Sequence, residues 1–358
     1  DMTKAVRSPG STLKPFIYGL AFEDGRIAQE TVIEDRPANF AGYRPRNFDM
    51  EYQGDVSIRA ALQKSLNVPA IRLLDAVGPH RLMARFKLAG IKAEMPKGKG
   101  AGLAIGLGGV GLSLRDLVQL YTGLSNGGSA VTLVNRPRGK AEVARREQLL
   151  PATAAWQIAD ILSGVTPPKG AIQRGIAYKT GTSYGYRDAW AIGFDGRHVL
   201  GVWVGRPDGS AVPGISGFGT AAPLLFDAFV KSGVAIQPLP TAPAGALRQA
   251  FADLPVTLRR FESTASETRP RGVAEAAPQI VFPPEGARLE LASGDAFSPL
   301  VLKLQGGRAP FRWLANGKAL PEAERRRTSR WLPDGAGQQT LTVIDAAGRA
   351  ASVRVFVE

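Results

Sequence analysis

Apolar and polar positions change their period along this chain, and the changes divide it. From Ser11 to about Gly90 the apolar residues fall at helical spacing in short runs separated by loops. Ser57 precedes one run, Ile58, Ala61 and Leu62, which ends at Lys64, and Pro79 opens another that stops at Gly90. A clearer helix follows. Ser113-Leu114-Arg115-Asp116 has the form of a capping box, and Leu117, Leu120, Tyr121 and Leu124 repeat along one face before Asn126-Gly127-Gly128. Strands are predicted only later, over 178–182, 189–194 and 199–204. The last two are joined across Asp195-Gly196, a dipeptide suited to a type I′ hairpin turn.

After Lys231 the period disappears. Pro238, Pro240, Pro243 and Pro255 punctuate a stretch without sustained pattern, and 263–277 is polar and mixed in charge, so 233–277 reads as a linker. From Pro278 onward the chain alternates in short segments, such as Leu300-Val301-Leu302-Lys303-Leu304, Thr340-Leu341-Thr342-Val343 and Ser352-Val353-Arg354-Val355-Phe356-Val357. Short strands between Gly, Asn and Asp turns predict a small all-β, Ig-like sandwich over 278–358. The expected organisation is a mixed α/β (α+β) domain over 1–232, the linker, and that module. No internal repeat is present.

Composition narrows the chemistry more than the fold. The chain has 358 residues, 44% hydrophobic and 21% charged, values that exclude a disordered or collagen-like protein. An excess of 45 Lys and Arg over 31 Asp and Glu gives +14, which attracts acidic partners without selecting one. With no cysteine, thiol nucleophiles, disulfides and zinc-thiolate sites are excluded. His80 and His198 are the only histidines, leaving little material for a metal site or a Ser-His-Asp triad, and both are expected to be surface or packing residues. No cofactor or metal is expected. The longest uncharged apolar stretch, 101–114, is shorter than the ~20 residues that span a bilayer. The chain opens at Asp1-Met2 without a signal peptide and reads as a fragment or processed product.

Three motifs carry chemistry. Ser11-Thr12-Leu13-Lys14 is an S-x-x-K tetrad after Pro9-Gly10, and about one such tetrad is expected by chance in a chain of this length. Ser65-Leu66-Asn67 then supplies S-x-N, and Lys179-Thr180-Gly181 supplies K-T-G. The ordered triple, not any single motif, points to a serine nucleophile whose base is lysine. On a helix that begins near Gly10, Lys14 shares a face with Ser11, and the helix N-terminus favours an oxyanion. Pro15 removes one backbone donor, so irregularity is expected there.

Lysine accepts a proton only when neutral, and burial together with a second cation, Lys179, lowers an amine pKa. Ser65 between the two lysines would relay the proton to a departing amine, and Asn67 would hold a substrate peptide group. Gly181 would let a substrate pair with the strand edge. Lys179, Thr180 and Thr182 would bind a terminal carboxylate, and the N–H groups of Ser11 and Thr182 would form an oxyanion hole. Tyr184, Tyr186 and Arg187 are groove or packing residues, and Asp188 and Trp190 are expected to be structural. Arg325-Arg326-Arg327 reads as a solvated basic face.

The chain here resembles the transpeptidase domain of bifunctional class A penicillin-binding proteins over about residues 1 to 232. The resemblance is carried by Arg7-Ser8-Pro9-Gly10-Ser11-Thr12-Leu13-Lys14-Pro15-Phe16, by Ser65-Leu66-Asn67-Val68-Pro69-Ala70, and by Lys179-Thr180-Gly181-Thr182-Ser183-Tyr184-Gly185-Tyr186-Arg187-Asp188-Ala189-Trp190. It implies the penicillin-binding, serine β-lactamase-like fold, here without its first strands, and a periplasmic D,D-transpeptidase acylated by peptidoglycan stem peptides ending in D-Ala-D-Ala and by β-lactam antibiotics. The tail resembles the sandwich that ends one subgroup and would serve a cell-envelope partner. A membrane anchor and a glycosyltransferase domain would lie upstream, and no nucleic acid is expected as partner. Two alternatives stand beside it: a D,D-carboxypeptidase or β-lactamase-type hydrolase, disfavoured by the long interval from Asn67 to Lys179 and by the lack of an identifiable deacylation glutamate, and a catalytically weak sensor of the same fold.

Overall fold

The computed structural model describes residues 1–96, 98, 100–134, 146–171, 175–262, 267–268, 277–289, 299–320 and 326–358. The chain forms two compact units. The first comprises Asp1–Arg36, Gly54–Ala211 and Ile215–Glu267, and the second Pro37–Gln53, Val212–Gly214 and Thr268–Glu358.

At the centre of the first unit is helix α1, Lys14–Glu23, buried from Lys14 to Ala21. A helix without a polar face belongs in an interior, and it lies against α3, Asn67–Val77, and α6, Ala152–Ser163. Between α1 and α3 in sequence, α2 spans Ile58–Gln63, capped by the Ser57 hydroxyl, which accepts from the Ala60 N–H at 3.2 Å. Helix α4, Pro79–Leu88, sends Phe86 against Phe16 with ring centroids 6.1 Å apart, edge to face. Helix α5, Leu114–Ser125, begins in the predicted capping box: Ser113 and Asp116 each satisfy the other's backbone N–H. Such a cap contributes on the order of 1 kcal/mol.

Three antiparallel strands, Ala177–Thr182, Asp188–Phe194 and Val199–Gly205, form a three-stranded sheet in this unit, with Lys179 opposite Ile192 and Gly181 opposite Trp190. The middle strand is buried along its whole length. It is covered by α5 and by α7, Ala222–Lys231, whose Phe226 ring meets Tyr178 edge to face at 5.1 Å. The hairpin joining the last two strands differs from expectation. Neither Gly196 nor Arg197 has positive φ, which a type I′ turn requires at both central residues. The buried Asp195 carboxylate makes the turn by accepting from the N–H groups of Arg197 at 2.7 Å, His198 at 2.5 Å and Gln237 at 2.9 Å.

That Gln237 contact belongs to a second correction. Residues 233–262, read above as part of a linker, lie on the first unit: Leu254 is 2% exposed, and Phe261 donates its N–H to the Val32 carbonyl at 2.9 Å. The polar stretches 263–266 and 269–276 lie outside the described residues.

The core of the second unit is built from two sheets. Gln279–Phe282, Leu300–Gln305 and Thr328–Trp331 form one of three strands; Arg288–Leu289, Ala350–Val357, Gly337–Ile344, Arg312–Ala315 and Lys318–Ala319 form one of five. Alternate residues of the two longest strands point inward. They join Leu302, Leu304, Phe311, Trp313 and Trp331 in one core. Lys303, 6% exposed on the central strand of the smaller sheet, donates to the Phe48 carbonyl and stands 3.1 Å from the Phe48 ring centroid. Arg325 lies outside the described residues; Arg327 donates to the carbonyls of Gly306 and Gly307 and covers Phe311, so it is a packing residue.

Candidate active site

Ser11 sits in one turn of 3-10 helix, Gly10–Leu13, which runs directly into α1 at Lys14. This is the irregularity expected beside Pro15. The Lys14 N–H bonds the Ser11 carbonyl in the 3-10 pattern, and residues three apart in such a turn eclipse, which stacks the two side chains. Ser11 stays half-buried while Lys14 is wholly buried. Among the described residues no hydrogen bond joins the Ser11 hydroxyl to Lys14.

The turn is held from several sides. Tyr121 of α5 donates its hydroxyl to the Thr12 carbonyl at 2.7 Å, and the Trp190 indole donates to the Ser8 carbonyl at 2.9 Å. Gly10 has φ of +54°, and a Cβ there would lie 2.6 Å from the Thr182 carbonyl oxygen. At Gly181 a Cβ would lie 2.6 Å from the Pro9 carbonyl oxygen. Gly181 is therefore small so that the Ala177–Thr182 strand can lie against the Ser11 turn. The sequence assigned its smallness to substrate access alone.

Ser65 follows α2 in the left-handed conformation, φ +58°. Its N–H bonds the Leu62 carbonyl at 3.1 Å, and the Leu66 N–H bonds the Ala61 carbonyl at 2.9 Å. Those two bonds make a Schellman motif with serine where glycine is the usual residue. The conformation costs on the order of 1 kcal/mol and sets the Ser65 side chain between two amines. Lys14 Nζ lies 2.5 Å from the Ser65 carbonyl oxygen, 2.5 Å from Asn67 Oδ1 and 3.4 Å from Ser65 Oγ. Lys179 Nζ lies 2.7 Å from Ser65 Oγ and 2.9 Å from the Thr180 carbonyl oxygen. Lys14, Ser65, Asn67 and Lys179, distant in sequence, thus meet at one point.

Burial first, and the charge of Lys179 second, hold the Lys14 amine well below its ordinary range, against an opposing pull from Asp35. Burial brings Lys179 down to about 7. Asp35 is itself fully buried, and nothing in the sequence around it marked it.

Thr180 and Thr182 lie on the free edge of the sheet. The Ser183 N–H bonds the Asp188 carbonyl at 3.0 Å. Bonded and non-bonded pairs alternate along an antiparallel ladder, so Thr182, opposite Ala189, and Thr180, opposite Ala191, turn their N–H and C=O groups outward. Gly10 packs against that edge at Thr182.

Of the remaining residues singled out, Tyr184 is 89% exposed, Arg187 is exposed and Tyr186 is buried in the turn after the strand. Asp188 accepts from the Trp203 indole at 3.0 Å and is structural with Trp190. His198 pairs with Asp195 at 3.0 Å, and His80 is exposed. Sequence reasoning missed the anchoring role of Tyr121, whose helical spacing marked it only as apolar.

A family model described as the penicillin binding protein transpeptidase domain matches residues 1–205, and one described as the Penicillin-Binding Protein C-terminus Family matches 268–355. The chain belongs to the penicillin-binding protein transpeptidase domain family. It is 43% identical over 229 residues to penicillin-binding protein 1C of Escherichia coli (strain K12), an alignment covering 63% of this chain and 29% of that protein. Penicillin-binding protein 1A of Neisseria flavescens is 30% identical over 278 residues, 68% of this chain and 34% of the relative. The chain therefore spans about a third or less of these relatives' length.

Two solved structures share the fold. That of PonA1 from Mycobacterium tuberculosis in complex with penicillin V has a TM-score of 0.57 and 21% identity, covering 70% of this chain and 77% of the other. That of penicillin-binding protein 1A from Haemophilus influenzae has a TM-score of 0.57 and 22% identity, covering 68% and 45%.

Proposed function

We propose that this chain carries the acyl-transfer centre of a peptidoglycan D,D-transpeptidase. The observation that carries the reading is Ser65 Oγ held between two buried lysine amines beside the Ser11 turn. Membership of a family described by transpeptidation supports it.

In the first step Ser11 Oγ attacks the carbonyl of the penultimate D-Ala and its proton passes to Lys14, which burial and Lys179 keep able to accept it. The oxyanion is received by the N–H groups of Ser11 and Thr182. As the C–N bond breaks, a proton returns through Ser65, between Lys14 and Lys179, to the departing D-Ala amine. An amine of a second stem peptide then attacks the Ser11 ester, forming the cross-link and freeing the serine. Asn67 holds the donor's peptide group, the donor pairs with the free strand edge beside Gly181, and Lys179, Thr180 and Thr182 bind its carboxylate. A β-lactam enters the same path, with its opened ring left on Ser11. The setting is the periplasmic face of the bacterial inner membrane, with a cell-envelope partner for the C-terminal module; among the described residues no helix is long and apolar enough to cross a membrane.

The test supplies a peptide ending in D-Ala-D-Ala with and without an amine acceptor. Acceptor-dependent peptide product together with released D-Ala is expected. Release of D-Ala without any acceptor product would make the chain a hydrolase.

A further inference from the structure

The face of the Lys179–Gly181 strand turned away from the Ser11 turn is also closed by backbone. Ser216 caps a five-residue π turn, Gly217–Ala221, that leads into α7, and its hydroxyl accepts from the Gly219 N–H at 3.0 Å. The Gly217 N–H has no acceptor inside the turn, as is general for the first N–H groups of a helical segment. It reaches across to Thr182 Oγ1 at 3.0 Å. A Cβ on Gly217 would lie 2.5 Å from the Gly181 carbonyl oxygen and 2.7 Å from that of Trp190. Only a residue without a side chain brings an N–H this close to the strand.

A threonine hydroxyl has one proton and two acceptor lone pairs. Gly217 occupies the acceptor side, and among the described residues the Thr182 hydroxyl donates to no protein group. Its proton is left for a ligand, on the same edge where Thr182 presents its own N–H. We propose that Gly217 is a positioning residue: its N–H fixes the Thr182 hydroxyl as a donor toward the substrate's terminal carboxylate, and its missing side chain is the condition for that contact. The inference rests on the acyl-transfer reading above and assigns a source of its carboxylate selectivity.

A residue acting through the Thr182 hydroxyl changes selectivity for the carboxylate, whereas one that merely supports the fold lowers all rates together. The experiment compares acylation of the full chain by benzylpenicillin and by its methyl ester, in wild type, Gly217→Ala, Thr182→Val and the double variant. Gly217→Ala is expected to slow the acid by about tenfold, the worth of one charge-assisted hydrogen bond, and the ester by less than about threefold. In the Thr182→Val background the further loss with the acid should be under about threefold, because coupled residues are not additive.

Ser216→Ala adds no atoms and loosens the same turn, so it should lower the acid-to-ester ratio in the same direction even if Gly217→Ala fails to fold. Equal losses for acid and ester, multiplicative losses in the double variant, or an unchanged ratio in Ser216→Ala would each overturn the inference. A wild-type chain that neither compound acylates would overturn the acyl-transfer reading with it.

Discussion

Two buried side chains, Lys14 and Lys179, and the half-buried Ser65 between them are each placed against their own preference. Ser65 occupies a left-handed position that glycine takes without cost. Ser65→Gly and Ser65→Ala should both lose acylation by about a hundredfold or more, while chemical denaturation should find Ser65→Gly more stable than Ser65→Ala by about 1 kcal/mol. Equal stabilities would mean that the cap carries no strain. The lysines trade stability in a similar way. Lys179 falls from 10.5 to about 7 on burial, so between those values the unfolded chain holds a proton that the native one lacks, and stability rises with pH. Below about 7 the penalty is present in full. Lys179→Met should therefore abolish acylation and leave Tm at pH 6 no lower than wild type. In wild type the acylation rate should fall as pH rises through about 7, where Lys179 loses the charge proposed to bind the carboxylate and to hold the Lys14 amine down. A rate flat from pH 6 to 8 would remove the Lys179 charge from the acylation step.

Among the elements, legibility followed local pattern. The capping box at Ser113, the ends of α2 and α4, and the strand at Ala177–Thr182 were visible because their signals lie within a few residues of one another. The Asp195 turn was misread because Asp-Gly has two uses, as the centre of a type I′ turn and as a carboxylate that gathers N–H groups, and only the second draws on a residue as distant as Gln237. Ser65 at the end of α2 was legible as part of a motif and illegible as a cap, since no glycine marks Lys64-Ser65-Leu66. The anchor from α5 to the Ser11 turn was hidden because spacing reports the Tyr121 ring and not its hydroxyl. Ser113→Ala should lower stability by about 1 kcal/mol. Tyr121→Phe, which leaves the Thr12 carbonyl unpaired in the interior, should cost about 1–3 kcal/mol and slow acylation as well. An unchanged acylation rate in Tyr121→Phe would show that the turn needs no such support.

At the scale of the whole molecule, sequence pattern separated the helical and β-rich parts but assigned two stretches poorly. Residues 233–262 lack a period and yet bury Leu254 and Phe261, and 37–53 belong to the second unit although their neighbours in sequence belong to the first. Both associations are made across long sequence distances, where periodicity carries no information. A chain ending at residue 268 should keep its acylation rate within about threefold, since the contacts proposed to be catalytic lie within the first unit, while hydrogen exchange should show residues 37–53 losing protection. A chain ending at 232 should lose several kcal/mol, about 1.5–3 for each large apolar side chain no longer buried; equal Tm for the two truncations would return 233–262 to the role of linker. What unites the site chemically is the convergence of Lys14, Ser65 and Lys179 beside the Ser11 turn, and mass spectrometry tests the proposed acyl-enzyme most directly. After incubation of the full chain with benzylpenicillin, one adduct per chain should form, map to Ser11 and be absent from Ser11→Ala; an unmodified mass, or an adduct on Ser8 or Ser65, would contradict a serine acyl-enzyme at this site.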